Sequence, residues 1–580
     1  MLLRNILRPP ACPPLRRTLL STRINTRAIT MSSNDDVLTK PVLLENDLKD
    51  GDMKTVEFGD GKVLVSKIKG QLYATSAFCT HYGAPLEKGV LSHDGRVVCP
   101  WHGACFNVCT GDVEDAPGLD SLWSFTATTK DGQIVVSASK KEVASKVGRV
   151  ITKKGTKQAS PKGSKSGETV VIVGGGSGAI HAIESLRING FVGKIVVISE
   201  ENHAPIDRTK MSKGLVDDAD KLQWRKPDEL KDAFGVDFYP GTSVTKVNLD
   251  SQTVSTSSGS NVKYDHLILS PGGAPRKIPI PGADLSGVLT LRHVPDTKAI
   301  TSSLTEDSEV VLIGTSFISM EAAVAIVGKK PKSVTLVGMD EVPFEKLLGK
   351  EFGEAIMESM KSQGIKFHMK AKIEKITPSE SDPSHVGAVH VEGLDPIPAN
   401  LVIMGTGVAP ATSFLKDTLK LEEDGGVKVD EYLRVPGHEN VYAIGDIAHY
   451  VQYPAKFPRR VEHWNVAGNH GREVAHTITH PESPVAYTKV PIFWSSVGKG
   501  LRYLGTGAGF DDQYVDGSFK DLKFAVYQAK EGKITAVATM QRDPIVSKAS
   551  ELMRLDIMPS IDDIRNGKNI LEIDLAKKSG

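Results

Sequence analysis

Residues 79 to 102 open with Cys79-Thr-His81 and close with Cys99-Pro-Trp-His102, and no other stretch constrains the fold of this chain as tightly. Two thiolates and two imidazoles in this order suit a [2Fe-2S] cluster, the cysteines holding one iron and the histidines the other. Neutral imidazole in place of thiolate leaves less negative charge on such a cluster and raises its potential above that of an all-cysteine one. The same four side chains could make a tetrahedral zinc set, and coincidence is a third reading. Zinc sites usually pair Cys with Cys and His with His at short spacing, whereas each half here carries one of each. The spacing favours the cluster.

At 580 residues the chain is too long for one core and should divide into three or four domains. Its 71 basic and 70 acidic residues nearly cancel, so no global field draws nucleic acid or an acidic membrane. There is no apolar run long enough to span a bilayer. Of the five cysteines, Cys79 and Cys99 are ligands, Cys105 and Cys109 read as small buried hydrophobes, and Cys12 lies near the N-terminus. So few thiols, two of them needed reduced, suit a reducing compartment. Residues 1 to 30 carry Arg4, Arg8, Arg16, Arg17, Arg23 and Arg27 and no acid. Such a leader reads as a mitochondrial targeting segment over 1–36, with a disordered tail on a cytoplasmic protein as the alternative.

From residue 37 to 138, short apolar runs such as VLVSKI and QIVVSA broken by Gly and Asp predict a small all-β domain. The Lys, Ser, Gly and Pro mixture at 139–167 reads as a flexible linker with a reach of roughly 30 Å. Next comes the strand TVVIV at 169–173, the loop Gly174-Gly175-Gly176 and a helix from Ser177, a G-x-G-x-x-A fingerprint ending at Ala179. Its glycines let the backbone approach a pyrophosphate at the positive end of the helix. A second strand-loop-helix unit, VVLIGTSFISMEAAVAIV, occupies 310–327. Two dinucleotide folds, the second inserted before the first is complete, are the plan of reductases that bind FAD and a nicotinamide cofactor.

The CPWHG of residues 99–103 and the spacing of the two halves resemble the Rieske ferredoxin family. Positions that brace the loops and bond the cluster sulfur in respiratory Rieske proteins read Ala84, Trp101 and Ala104 here, which implies fewer sulfur donors and a lower potential. PIDRTKMSK at 205–213, SPGGAPR at 270–276, GTGVAP at 405–410, VYAIGDIA at 441–448, EHW at 462–464 and PIFWS at 491–495 resemble the apoptosis-inducing factor and ferredoxin-reductase branch of pyridine-nucleotide oxidoreductases. With the Rieske segment in front, the chain resembles the apoptosis-inducing factor 3-like proteins over nearly everything after residue 40.

The resemblance implies a multidomain chain with a Rieske domain at 37–138, an α/β FAD-binding domain at 168–295 and 405–480, an NAD-binding domain at 296–404 and an α+β reductase domain at 481–580. It implies that Cys79, His81, Cys99 and His102 hold the cluster. For FAD it implies Gly174, Gly175, Gly176, Ser177, Gly178, Glu200, Arg208, Lys213, Val244, Asp446, Glu462, His463, Trp464 and Trp494. For the nicotinamide nucleotide it implies Gly314, Glu321 and Asp340. Lys213, Glu321 and Trp494 are the catalytic candidates. Ser316 and Ser319 replace glycines of the second nucleotide loop, and a side chain at 316 should crowd a pyrophosphate. Asp340 and Glu341 follow the second strand without an arginine cluster, a pattern that favours NADH over NADPH.

No cysteine follows residue 109, so the reductase portion cannot supply a redox dithiol beside a flavin. The expected activity is therefore transfer of electrons from NADH through FAD to the tethered cluster and on to an unknown acceptor. Two alternatives are redox-responsive signalling in cell death and direct reduction of a small acceptor, such as a quinone or monodehydroascorbate, at the flavin. No nucleic-acid partner and no membrane span are expected, and the sequence does not set the oligomeric state.

Overall fold

The computed structural model describes residues 36–152, 167–507 and 509–575. The leader before Asp36, Cys12 and linker positions 153–166 lie outside the described residues. The chain divides into two compact units: the described parts of Met1–Ile151, Asp543–Met558 and Asn569–Gly580 form one, and Thr152–Arg542 with Pro559–Lys568 the other.

The first unit is built on antiparallel strands whose alternating exposure follows the strand period of two. Ser124–Lys130 and Gln133–Ser139, for example, turn Ile134, Val136 and Ala138 inward and polar residues outward. Six strands pair in the order Val37–Leu44, Gln133–Ser139, Ser124–Lys130, Gln71–Ser76, Gly61–Ile68 and Met53–Phe58. Their inner face closes over Phe58, Val63, Val65 and Ile134, all fully buried. A second sheet, Val90–Leu91, Arg96–Val98, Cys105–Asn107 and Val113–Asp115, carries one ligand loop as the connection between its two middle strands.

Two boundaries differ from the sequence reading. The stretch 139–151, assigned to the linker, is part of the first unit. Ser139 caps the helix Lys140–Ala144 by accepting the Glu142 N–H at 3.2 Å. Arg149 then bridges Ser121 through paired backbone bonds of 3.0 and 2.7 Å and ion-pairs with Asp112. A polar composition does not prevent a segment from docking when its backbone finds partners. The assignment of 481–580 to one reductase domain also fails, because helix Ile545–Arg554 belongs to the first unit. That helix buries Ile545, Val546, Ala549, Leu552 and Met553. Amphipathic spacing announces a buried face without naming the sheet that receives it.

Among the described residues the second unit contains seven sheets, three of them with five or six strands. Parallel strands Val236–Tyr239, Lys194–Ile198, Thr169–Val173, His266–Leu269 and His438–Ala443 lie side by side in that order, with Arg434–Val435 antiparallel at the edge. Helix Ser177–Ile188 packs on helix Trp464–Thr479, and small residues permit it: a Cβ added to Gly471 would sit 2.3 Å from the Gly178 carbonyl oxygen. The second nucleotide fold is inserted between strands His266–Leu269 and His438–Ala443. Its parallel sheet runs Val288–Leu289, Leu401–Met404, Glu309–Ile313, Ser333–Val337, Ile365–His368. An antiparallel sheet from Ile492–Ser495 to Lys533–Met540 completes the unit, its Leu501, Phe524 and Met540 sharing a core with Met320, Ala323 and Ile356. The multidomain architecture expected from the sequence is thus present. Among the described residues no helix is long and apolar enough to cross a membrane.

Candidate redox sites

The two ligand loops share one backbone design. Cys79-Thr-His81-Tyr-Gly83-Ala84 and Cys99-Pro-Trp-His102-Gly103-Ala104 each return a Cys N–H to the Ala carbonyl, at 2.9 and 2.8 Å, and a Gly N–H to the Cys carbonyl, at 2.9 and 3.3 Å. Gly83 and Gly103 take φ of +73° and +75°, a conformation that glycine adopts without steric penalty. The loops differ in where the histidine sits, two residues after Cys79 but three after Cys99. The predicted ligands meet in two pairs, thiol with thiol and imidazole with imidazole. Cys79 and Cys99 are 3% and 1% exposed, and His81 and His102 face each other through their Nδ1 atoms at 3.0 Å.

Two ring nitrogens aimed at one another and two adjacent buried thiols are what a divided ligand set requires, two nitrogens for one iron and two sulfurs for the other. Among the described residues no three of His, Cys, Asp and Glu group around one ion position. The Cys79 thiol is pushed up by its hydrogen bond with Cys99, by burial and by the charge Cys99 would carry. The His81 and Tyr82 backbone N–H groups act in the opposite sense, bonding the Cys79 sulfur. Backbone donors therefore remain where side-chain donors are missing, since Ala84 and Ala104 are fully buried methyl groups. The histidine edge lies beneath an aromatic rim: Tyr82 stacks on His81 at 3.9 Å, and Phe78, Tyr82 and Trp101 are all exposed. Cys105 is fully buried, as expected of a small hydrophobe, whereas Cys109 is half-buried and disulfide-bonded and so departs from that expectation.

In the second unit the first nucleotide loop has the contacts of a phosphate cradle. A Cβ on Gly174 would lie 2.1 Å from the Ser270 carbonyl oxygen and one on Gly175 2.5 Å from Ser199 Oγ, whereas one on Gly176 would meet nothing within 4 Å. The open side lies at the N-terminus of the helix beginning at Ser177, where N–H groups and the helix dipole favour an anion. Ser177 Oγ donates to the Trp464 carbonyl at 2.6 Å, and Gly178 lets the helix approach Ser270 and Ile444. Asp446 follows Gly445, whose φ is +69°, and accepts from Arg292 at 2.8 Å. The Gly445 N–H donates to Nδ1 of the fully buried His470 at 3.2 Å. Burial pushes His470 down to about 3 and His463 to about 4, so both rings are neutral at pH 7.

The sequence placed His463, Trp464 and Trp494 together. In the structure the His463 ring lies 4.6 Å from Phe493, and Trp464 packs against His181 and Trp224 at 5.1 and 5.5 Å. Trp494 is nearly buried on strand Ile492–Ser495, where alternation turns it away from the face shared by Phe493 and Ser495. Glu462, pushed up by burial and by Asp446, bonds Arg460 at 2.8 Å. Glu200 is exposed two residues beyond the strand Lys194–Ile198, and Val244 is nearly buried. Arg208 does not point freely at a ligand. It makes a two-pronged pair with Glu201, at 3.1 and 2.6 Å. Glu201 also accepts from His293 at 2.9 Å, and these partners hold its carboxyl well below the usual range despite burial.

Lys213 and Glu321, named separately from sequence, are one assembly. Glu321 is 3% exposed; its Oε2 accepts from Lys213 Nζ at 3.0 Å and Ser212 Oγ at 2.6 Å, and its Oε1 from Ser495 Oγ at 2.6 Å. Ser212 and Ser495 lie inside motifs already singled out, but a lone serine within a motif gives no signal of its own. Arg292 and His470 lie outside those motifs and were missed as well.

The second nucleotide loop accommodates its serines. Gly314 has φ of +100° and approaches Gly405; Ser319 is fully buried, its hydroxyl in the space that a Cβ on Gly405 would take. Ser316 is exposed and donates to the Gly405 carbonyl at 3.3 Å, so its hydroxyl is drawn back toward the strand ends. Asp340 pairs with Lys346 at 2.8 Å and Glu341 with Lys350 and Lys370 at 2.5 and 3.3 Å. Three lysines thus offset the two acids, which sequence order did not reveal.

Residues 39–126 match the Rieske [2Fe-2S] domain, and residues 168–471 match the pyridine nucleotide-disulphide oxidoreductase family. Apoptosis-inducing factor 3 of Mus musculus is 36% identical over 530 residues, 90% of this chain and 85% of that protein. Rhodocoxin reductase of Rhodococcus erythropolis is 33% identical over 62% of this chain and 83% of its own length. The crystal structure of the ferredoxin reductase for the CYP199A2 system from Rhodopseudomonas palustris superposes with a TM-score of 0.64 at 25% identity, covering 68% of this chain and 96% of that one. The glycine cradles and the divided ligand set fit FAD, a nicotinamide nucleotide and a [2Fe-2S] cluster, which are the cofactors of these families. The chain is an NAD(P)H-dependent flavoprotein oxidoreductase with a Rieske centre, and it belongs to the pyridine nucleotide-disulphide oxidoreductases as an apoptosis-inducing factor 3-like protein.

Proposed function

We propose that the chain carries electrons from NADH through FAD to its own Rieske cluster and on to a further acceptor, with little acid-base chemistry. The observation that carries this reading is the complete cluster ligand set joined to a reductase unit that has no cysteine of its own. FAD, when bound, supplies the conversion of a hydride's electron pair into single electrons. The protein's part is positioning. Gly174, Gly175, Gly176, Ser177 and Gly178 receive the pyrophosphate, and Glu200, Val244 and Asp446 hold the rest of the dinucleotide. Lys213, fixed by Glu321, places a cation beside the flavin, where charge builds up on reduction. His463, Glu462, Trp464 and Trp494 close the site from the strand and helix that follow. Gly314 and Asp340 receive the nicotinamide nucleotide.

The exposed aromatic rim over His81 and His102 supports electron entry and exit on the histidine side. NADH remains the preferred donor because Asp340 and Glu341 stand at the ribose end, although their lysine partners narrow the margin against NADPH. The Arg-rich leader supports a mitochondrial location. A signalling role gains little from Ser316, whose hydroxyl bonds Gly405 and does not fill the loop. The test is anaerobic addition of NADH or NADPH to holoprotein, following flavin absorbance and the low-temperature EPR signal of the cluster. Bleaching followed by a Rieske-type signal is expected with NADH. Cys99→Ser should remove the signal and leave NADH-ferricyanide turnover at the flavin intact; a cluster that stays oxidised while the flavin bleaches would refute the route.

A further inference from the structure

The helix Ile545–Arg554 reaches the cluster region from the far end of the chain and packs within the first unit. Its Ser547, 1% exposed, donates Oγ–H to the carbonyl oxygen of the ligand Cys99 at 2.9 Å, across 448 residues of sequence. That carbonyl is one end of the Cys99–Gly103 loop bond, which at 3.3 Å is the longest of the four bonds that shape the ligand loops. Ser547 therefore reinforces the weaker of the two loops.

A charged ladder holds the helix in place. Arg554 pairs with Asp94 at 3.0 Å and with Glu551 at 2.6 Å. Glu551, 1% exposed, lies 3.5 Å from Arg96, which in turn holds Glu114 at 2.6 Å and Asp115 at 2.5 Å. Arg96 opens the strand that ends just before Cys99. The helix thus grips the same strand and loop at two levels, by hydroxyl at the ligand and by charge at the strand's beginning. Breaking a buried ion pair is strongly destabilising because it strands a partner charge. This ladder gives the helix one seat.

We propose that this C-terminal helix is a working part of the Rieske centre and that Ser547 is a positioning residue for the Cys99–His102 ligand loop. Its hydroxyl fixes the Cys99 carbonyl and, with it, the direction of the sulfur and of the His102 ring. Removing the hydroxyl leaves the buried carbonyl with one long bond, a loss on the scale of a single hydrogen bond. The inference concerns how the cluster is held. It stands whether or not NADH is the electron source.

The experiment compares wild-type holoprotein with Ser547→Ala. Three quantities are read: iron released to a ferrous chelator after dithionite reduction, the g-values and reduction potential of the cluster by EPR-monitored titration, and NADH-ferricyanide turnover. Ser547→Ala should release iron roughly five- to tenfold faster and shift the EPR spectrum and potential, while turnover at the flavin stays at the wild-type level. A merely structural serine would change thermal stability and leave the spectrum and potential of the remaining cluster unmoved, and that result would overturn the proposal. Should Ser547→Ala fail to accumulate, Arg554→Gln is read in its place, because its side chain is 28% exposed and the substitution loosens the same helix from Asp94. It should speed iron release in the same direction; a wild-type rate and spectrum in Arg554→Gln would equally overturn the inference.

Discussion

Replacing Glu321 by Gln keeps the shape of the side chain and removes the charge that faces Lys213, which makes it a clean probe of the assembly at the reductase site. At the observed 3.0 Å the attraction between the two charges is about 5.5 kcal/mol with an effective dielectric constant of about 20. Lys213 is 22% exposed, and both groups give up hydration to meet, so the net contribution should fall to about 2 kcal/mol. Urea unfolding of the holoprotein should reveal that loss. If the pair's energy serves chiefly to hold the lysine in position, the rate of flavin reduction by NADH in anaerobic stopped flow should drop by up to about thirtyfold. The double variant Lys213→Met/Glu321→Gln should cost less than the two single changes together, with a coupling of about 1–2 kcal/mol. Strict additivity, or a Glu321→Gln protein with wild-type stability and reduction rate, would show that the carboxylate answers mainly to Ser212 and Ser495.

Two further outcomes are expected from features of the second unit. His470 and His463 are held neutral, with values near 3 and 4, whereas the unfolded chain takes up protons near 6.5. Their contribution is complete above about pH 6.5 and is lost as pH falls toward 4 and then 3, at about 2 kcal/mol for each ring between pH 6.5 and 5; equal urea midpoints at pH 7.5 and 5 would contradict this. Gly176→Ala adds a methyl group to open space, while Gly178→Ala drives one to 2.6 Å from Ser270 Oγ and 2.8 Å from Ile444. The first should leave the apoprotein fold intact and weaken FAD binding by at least about tenfold, by filling the close approach that a pyrophosphate needs; the second should lower thermal stability itself. Wild-type FAD affinity in Gly176→Ala would remove the loop from the site.

Much of the architecture was legible because its chemistry is tied to fixed residue types at fixed local spacing. The four candidate cluster ligands fall within residues 79–102, and Gly174 and Gly314 each close a strand at a positive-φ turn, so local pattern was enough to single them out. Illegible were the partners that arrive from afar. Ser212 and Ser495 reach Glu321 across 109 and 174 residues, and no periodicity links a serine to a carboxylate at such distances. Helix Ile545–Arg554 could be read as a helix with one apolar face, but the residues that decide where it docks, Asp94 and Arg96, belong to a different part of the sequence. Polar segments posed the reverse problem. Residues 139–151 have the composition of a tether, yet Ser139 and Arg149 give their backbone specific partners, and docking follows from that pairing.

The order of synthesis gives the C-terminal helix one more consequence. The ribosome delivers the ligand loops early and Ser547 448 residues after Cys99, once Thr152–Arg542 of the reductase unit has been made. A nascent or prematurely ended chain can display Cys79, His81, Cys99 and His102, but it has no Ser547 to seat the Cys99 carbonyl and no Glu551 beside Arg96. On such a chain the Cys99–His102 loop lacks this fastening. On the proposal made above, the metal is held most firmly once residues 545–554 have joined the ligand loops.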